Sequence, residues 1–363
     1  MERERVVAFR LARHGLQERR ARPLAATVAC PASDVVRGSA LLASAARADG
    51  VTRAAYDGAV DAGELVVAPS LRAAIHALAP ADVVLFGRGL IARDDDELAE
   101  QLGRTLRAQL GAVGIAPHEA LREVAEATAA ALTDDRALSK DELHDELRGR
   151  VRPELLPWCA GCRSHHVAPM LWRYGGVEAG IRLDAARRFV LGSLGPPPEP
   201  EETVRRFLRF YGPATAKDFT AWAGVARATG RRLWERVAGE LLEAPVDGAR
   251  AWLLADDEPA MSSPPPAHGL RLLPPGDPFL YGPNRPLLAP DEALRKRVFR
   301  ALAAPGVVLG DGVVVGLWRM RSAGGRSELE VEPIRPIDGD ALGAEAAHVA
   351  AARGSGGAVV RLA

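Results

Sequence analysis

Residues Arg205–Ala255 read RRFLRFYGPATAKDFTAWAGVARATGRRLWERVAGELLEAPVDGARAWLLA. Phe207, Leu208 and Tyr211 recur at helical spacing, and Gly212-Pro213 closes that helix because proline cannot continue it. Thr215 is a good N-cap for a second, short helix from Ala216 to Trp222, which stops at Gly224. A longer third helix carries Leu233, Trp234, Val237 and Leu241 on one face, with Arg227, Arg231, Arg232 and Arg236 mostly off it. Two apolar runs, Leu241–Pro245 and Ala249–Leu254, then flank Asp247-Gly248, a dipeptide suited to the positive φ of a tight hairpin. Helix, short helix, basic helix and hairpin predict a winged helix-turn-helix, whose third helix enters the DNA major groove in such folds.

Outward from this stretch the same plan recurs. Val6 to Leu16 predicts a helix with Arg10, Arg13 and His14 on its polar side, followed by Arg19, Arg20 and Arg22. Pro31-Ala32-Ser33-Asp34 is a turn-like break from which Ser33 or Asp34 caps a helix over Val35–Ala48. Thr52 caps another through Val60, and Glu64–Leu78 reads as two strands around Pro69-Ser70. Residues 1–92 are thus expected to form a first winged helix. A second, less regular one is expected over 93–194. Asp94–Glu97 supplies negative charge at a helix start, where the dipole favours it, and helices follow over Glu97–Leu110 and Pro117–Leu132. Ser139-Lys140-Asp141-Glu142 is a capping box for Asp141–Val151, and Met170–Tyr174, Gly180–Leu183 and Arg188–Val190 supply a helix end and two strands.

Leu194–Glu201 and Pro259–Pro266 are linkers by composition on either side of the third module, 202–257. Strands dominate 267–363: Leu270–Leu273, Gly306–Leu309, Val313–Met320 and Ser327–Pro333, with a hairpin turn at Asp311-Gly312 and helices at Asp291–Ala301 and Ala341–Ala352. The predicted fold class is α+β: three tandem winged helix-turn-helix modules followed by a C-terminal β-barrel-like domain.

Composition limits the function classes. With 363 residues the chain is too long for one core. Forty-seven basic residues balance forty-seven acidic ones, which excludes a uniformly cationic coat but not a local basic groove. Lys140, Lys217 and Lys296 are the only lysines, and three cysteines do not make a disulfide framework. The start, MERERVVAFR, lacks an apolar signal core, and no run reaches membrane-spanning length. A soluble, cytoplasmic monomer is expected.

The order of modules resembles the AlkZ-like family of winged-helix DNA glycosylases. Ser70–His76 (SLRAAIH), Tyr211–Trp222 (YGPATAKDFTAW), Leu272–Pro278 (LLPPGDP) and Asp311–Arg319 (DGVVVGLWR) carry the resemblance, which covers nearly the whole chain. It implies duplex DNA, damaged or undamaged, as the partner, and no cofactor. Active members of the family resemble one another in a Gln-apolar-Gln or Gln-apolar-Asp motif, which holds a water at the anomeric carbon and stabilises positive charge on the sugar. Aligned on Ala29-Cys30 and Gly38-Ser39-Ala40, this chain places Ser33 and Val35 at the two polar positions, and no glutamine falls within Cys30–Gly38. Asp34 is the one residue there able to serve as a base, and an N-cap is its competing role. The expectation is a DNA-binding protein on a glycosylase scaffold with activity lost or altered. The alternatives are an active glycosylase for bulky alkylated purines or crosslinks, and a regulator using the modules for protein contacts.

Five residues are expected at the DNA. Arg72 and His76 lie four apart on a wing-like strand and so share a face; a salt-bridged arginine and a histidine satisfied at a module boundary would read the same. Arg227, Arg231 and Arg232 sit on the third helix, where a merely solvated arginine face would look identical. Cys159, Cys162, His165 and His166 have zinc-like spacing at one end. The second ligand pair of a finger is absent, and the reading kept is that Cys159 and Cys162 are small loop or core residues and one histidine contacts phosphate. No metal is assigned there.

Overall fold

Arg205–Ala255 forms the expected series of elements. Helices Glu202–Tyr211, Ala216–Ala223 and Arg227–Arg236 precede a hairpin of Leu241–Glu243 and Trp252–Leu254. Asp247 (φ 47°) and Gly248 (φ 81°) supply the two positive dihedrals of its turn. Thr215 caps the short helix as predicted: its Oγ1 accepts from the Asp218 amide at 3.1 Å, and Asp218 Oδ2 accepts from the Thr215 amide at 3.0 Å. Gly230 lets two of these helices close up, because a Cβ there would stand 2.1 Å from Thr220 Oγ1.

The computed structural model describes every residue except 194, 197, 301 and 302. It is a mixed α+β chain. The contacts divide it into two units, Met1–Ala59 with Arg205–Asp218 and Val237–Ala363, and Val60–Val204 with Phe219–Arg236.

In the first unit a five-stranded sheet runs in the order Leu270–Leu273, Gly306–Gly310, Val313–Ala323, Arg326–Pro333 and Ala358–Leu362. The first three pairings are antiparallel, with a bulge at Val308/Leu309, and the last is parallel, reached through helix Gly339–Arg353. Among the described residues the two edge strands do not pair with each other, so the sheet is open where the sequence predicts a small barrel. A parallel last strand needs a long crossover, and that helix covers the sheet instead of a turn closing it. Val7, Leu11, Leu273, Phe279, Val307 and Leu317 meet in the core beside it.

The first helix is Arg3–Arg13, three residues earlier than predicted, and two of its supposedly polar residues are buried. Arg10 is 1% exposed. It donates to Gly212 O (3.2 Å), Pro213 O (2.6 Å) and Asn284 Oδ1 (2.8 Å), which gives the Tyr-Gly-Pro segment a physical reason. Burial lowers its pKa to about 9, so it stays charged at neutral pH. His14 lies among Phe210, Tyr211 and Phe279, with both ring nitrogens buried and no hydrogen bond of ordinary geometry among the described residues. Helix Glu258–Ser262 forms inside the stretch read as a second linker. Helix Glu292–Val298 ends before Ala301, whose predicted place in it lies outside the described residues, as do Leu194 and Pro197 of the first linker.

In the second unit, strands Ile75–Leu78, Val66–Pro69, Ile181–Leu183 and Phe189–Leu191 lie side by side in that order. Ser139 forms the predicted capping box with Glu142, and Asp94 caps Asp95–Leu102. The helix predicted over Glu97–Leu110 is broken at Gly103 (φ 93°) into Asp95–Leu102 and Arg104–Val113, since that dihedral cannot continue a helix. Among the described residues no helix is long and apolar enough to cross a membrane.

Candidate nucleic-acid interface

The segment Cys30–Gly38 does not start a helix at Val35. Ala32–Ser33 is a short strand, Gly38 takes φ 87°, and the helix runs Ser39–Ala45. Asp34 is the reason for the delay. Its Oδ1 accepts from the Gly38 amide (3.0 Å) and the Ala40 amide (3.1 Å), so the carboxylate caps the helix from across the bend. Asp34 is 4% exposed and Ser33 5%, whereas Val35 and Val36 are 66% and 55% exposed. Ser33 and Asp34 thus face inward, while Val35 and Val36 face solvent. Behind it Arg47 makes a two-pronged pair with Asp277 at 2.7 and 2.8 Å, both side chains buried. That pair anchors the Gly276-Asp277-Pro278 turn, and Gly276 sits close enough that a Cβ would meet Ser33 Cβ at 3.2 Å.

Beside the bend opens a cavity of about 410 Å³, lined among others by Arg37, Arg53, Arg319, Arg353 and Trp318, with no carboxylate in its wall among the described residues. Arg53 keeps a loose pair with Asp57 at 3.4 Å. Arg319 donates to Ala303 O at 3.2 Å and Arg353 to Ser322 Oγ at 3.2 Å. Four guanidinium groups around an acid-free hollow make an electrostatic site for anions, phosphate oxygens above all. Sequence reasoning missed all four arginines. They come from four separate segments, and no local pattern marks them.

Arg72 and His76 do not share a strand face, contrary to the sequence reading. Arg72 lies in a one-turn 3₁₀ segment, Leu71–Ala73, at φ 55°, and only His76 is on the strand Ile75–Leu78. Its guanidinium donates to the Trp222 carbonyl, and the side chain crosses Gly224 so closely that a Cβ there would fall 2.4 Å from Arg72 Cγ. His76 is 2% exposed, with Nδ1 at 2.9 Å from both Ser70 Oγ and Ala74 O. Burial, then the Arg72 charge, pushes its pKa down to about 3. His76 is thus neutral and sealed from solvent.

The arginines of helix Arg227–Arg236 are on the surface as expected. Arg231 is exposed and only loosely paired with Glu235 (3.9 Å). Arg232 donates to Glu97 Oε2 at 2.7 Å, and the same carboxylate accepts from Thr229. Those two hydrogen bonds, Arg232 first, lower Glu97 to about 2. Arg227 is exposed, and its amide donates to Glu100 Oε1 at 3.2 Å.

Cys159, Cys162 and His166 come together with their ligand atoms all within 4.8 Å of one another, while His165 is turned away, its Nδ1 2.8 Å from Leu156 O.

Comparison with known proteins extends this picture. A family model described as "DNA glycosylase AlkZ-like" matches residues 24–355. An interstrand DNA cross-link repair glycosylase of Streptomyces sahachiroi is 33% identical over 182 residues, 46% of this chain; the match spans about half that relative's length, 47%. The solved structure of Streptomyces sahachiroi DNA glycosylase AlkZ is similar with a TM-score of 0.79 and 25% identity, covering 100% of both chains.

Proposed function

The chain belongs to the AlkZ-like DNA glycosylase family, and on that premise we propose that it binds duplex DNA on a glycosylase scaffold with base excision lost or strongly reduced. The observation that carries the binding half is the acid-free cavity ringed by Arg37, Arg53, Arg319 and Arg353, next to the bend where the family's motif falls. The silent half rests on the bend itself. Asp34 spends its carboxylate on two backbone amides, Ser33 is buried, and Val35 can neither hold nor polarise a water. Losing one preorganised polar contact of this kind costs roughly 10²–10³ in rate, and two positions are substituted here.

In this reading residues 1–92, 93–194 and 202–257 are three winged helices and 267–363 the β-rich domain. The protein works in the cytoplasm as a monomer. Arginine–phosphate contacts give binding with steep salt dependence and little sequence preference. The likeness to a crosslink-repair glycosylase favours a second reading, an active enzyme for bulky alkylated purines or crosslinks, with Asp34 released from its cap as base.

Single-turnover release of 7-methylguanine from duplex DNA separates the two, measured on the wild type, Asp34→Asn and Ser33→Gln. No release by the wild type despite measurable duplex binding, with some gained on Ser33→Gln, supports the silent scaffold. Robust release that Asp34→Asn abolishes overturns it in favour of the enzyme. Failure to bind duplex at low salt overturns both and leaves a regulator built on protein contacts.

A further inference from the structure

In the second unit, Trp158–Cys159 pairs antiparallel with Ser164–His165, so the chain turns back over Ala160–Arg163. Cys162 Sγ and one His166 nitrogen lie within 4.8 Å of the Cys159 sulfur and of each other. His166 is already in the tautomer a metal requires. Its Nδ1 lies 2.8 Å from the Val167 carbonyl, which can only accept, so Nδ1 carries the proton and Nε2 the lone pair. Nε2 is shut off from solvent and has no hydrogen-bond partner of ordinary geometry among the described residues. The ring is held in place by His144 at 5.4 Å, which itself lies 4.8 Å from Trp172.

We infer that Cys159, Cys162 and His166 bind one zinc ion, in a tetrahedral Cys2His set whose fourth position is filled by solvent. Two thiolates and an imidazole are the soft and borderline donors that select zinc over magnesium or calcium. Zn–S bonds of about 2.3 Å put two tetrahedral sulfurs about 3.8 Å apart, so these atoms need close in by only about 1 Å. A disulfide between the two cysteines is the competing use of the same pair. It would satisfy the sulfurs and leave His166 Nε2 orphaned, whereas a metal employs all three groups and the carbonyl behind the histidine. The ion would staple the hairpin that carries the exposed Trp158 to the start of helix Pro169–Ala179. The inference stands independently of whether this chain cleaves DNA.

The test is metal content of the full chain, purified without a polyhistidine tag, reduced, equilibrated with zinc and dialysed. About one equivalent of zinc per chain is expected by elemental analysis. Cobalt(II) in its place should give the sulfur-to-cobalt charge-transfer band and the visible spectrum of a tetrahedral site. Cys159→Ser and Cys162→Ser should each lose the ion and the band. His166→Ala should weaken zinc by more than the about 10-fold that loss of an outer-shell partner costs. His165→Ala should bind as the wild type does, which keeps the test meaningful even if a cysteine variant folds poorly. Substoichiometric zinc in the reduced wild type overturns the inference, as does equal loss in His165→Ala. Isolation as a Cys159–Cys162 disulfide that takes up no zinc after reduction assigns the pair to redox chemistry instead.

Discussion

The bend Cys30–Gly38 with the Arg47–Asp277 pair behind it, and the helix Arg227–Arg236, are both places where charged side chains mark a candidate interface. They use charge in opposite ways. At the bend Asp34 Oδ1 accepts from two backbone amides, and the buried Arg47 guanidinium donates to the Asp277 carboxylate and the Ala43 carbonyl. On the helix, Arg231 and Arg232 stand in solvent with partners they can exchange. Buried charge holds its partners because losing them leaves an unpaired charge in low dielectric. Exposed charge can be transferred to a phosphate for almost nothing. The bend is therefore expected to report on stability, and the helix on binding.

The largest effect is expected at Arg47 and Asp277. Asp277→Ala strands a buried guanidinium and also removes the acceptor for the Phe279 amide, so unfolding in urea should show a loss of about 3–5 kcal/mol. A double replacement, Arg47→Met with Asp277→Leu, should recover much of that. A loss under 1 kcal/mol for the single variant would mean that water reaches the pair, and the contrast between the regions would weaken.

Acid comes next. His14 is held well below its ordinary pKa by burial and by the charges of Arg47 and Arg10, and His76 is pushed to about 3. Folded, both stay neutral; unfolded, both take a proton below about pH 6.5. Below that point the unfolded state binds more protons, so stability falls with pH by up to about 1.4 kcal/mol per pH unit for each histidine. For His76 the loss levels off near pH 3. His14→Phe, which keeps the aromatic contacts, should flatten the pH 4–6 slope of midpoints in denaturant titrations. An unchanged slope would show that other groups carry the acid sensitivity.

Asp34 should matter less. Asp34→Ala removes a helix cap shared by two amides and is expected to cost about 1–2 kcal/mol, read as a lower urea midpoint with unchanged m-value. Duplex affinity should stay within about twofold, since no Asp34 oxygen faces the DNA in this reading. A large change in affinity with no change in stability would move the residue from cap to site.

How much of this was legible in the sequence follows the same division. Period and punctuation located most of the longer helices and both tight hairpins, because Asp247-Gly248 and Asp311-Gly312 state their own backbone dihedrals. The burial of Arg10 and His14 was encoded too: they stand at i+4 and i+8 from Val6 on the apolar face, but their polarity argued against reading them as core. What no local pattern could give was long-range. The parallel strand Ala358–Leu362 depends on a crossover helix, and the arginine-lined cavity gathers residues from positions 37 to 353. Arg72 was misplaced for a local reason. Its alternating neighbours resemble a strand, and the αL turn that interrupts them is held by a tertiary bond to Trp222.

The smallest stability effect and the sharpest functional one should come together at Arg231 and Arg232. Arg231 is paired at 3.9 Å with a neighbour one turn away, and Arg232, itself exposed, with the half-buried Glu97, which keeps its hydrogen bond from Thr229 when Arg232 is removed. Exposed pairs of this kind contribute about 0–1 kcal/mol, so Arg231→Ala with Arg232→Ala should leave the urea midpoint nearly unchanged. Glu97 then loses Arg232 and moves toward the ordinary carboxylate range, a change visible in its titration but small in free energy. Binding should respond differently. If the two guanidiniums neutralise phosphates, their loss lowers affinity by a similar factor on unrelated duplexes and reduces the slope of log K against log salt by about 2. Glu97→Gln is the companion variant: freeing Arg232 from its carboxylate should tighten duplex binding while leaving the fold intact. Fluorescence anisotropy on two unrelated duplexes over a salt series reads all of this at once. If the double variant keeps wild-type affinity and slope, and Glu97→Gln changes nothing, the helix arginines serve their surface pairs and the DNA contact rests on the cavity at the bend.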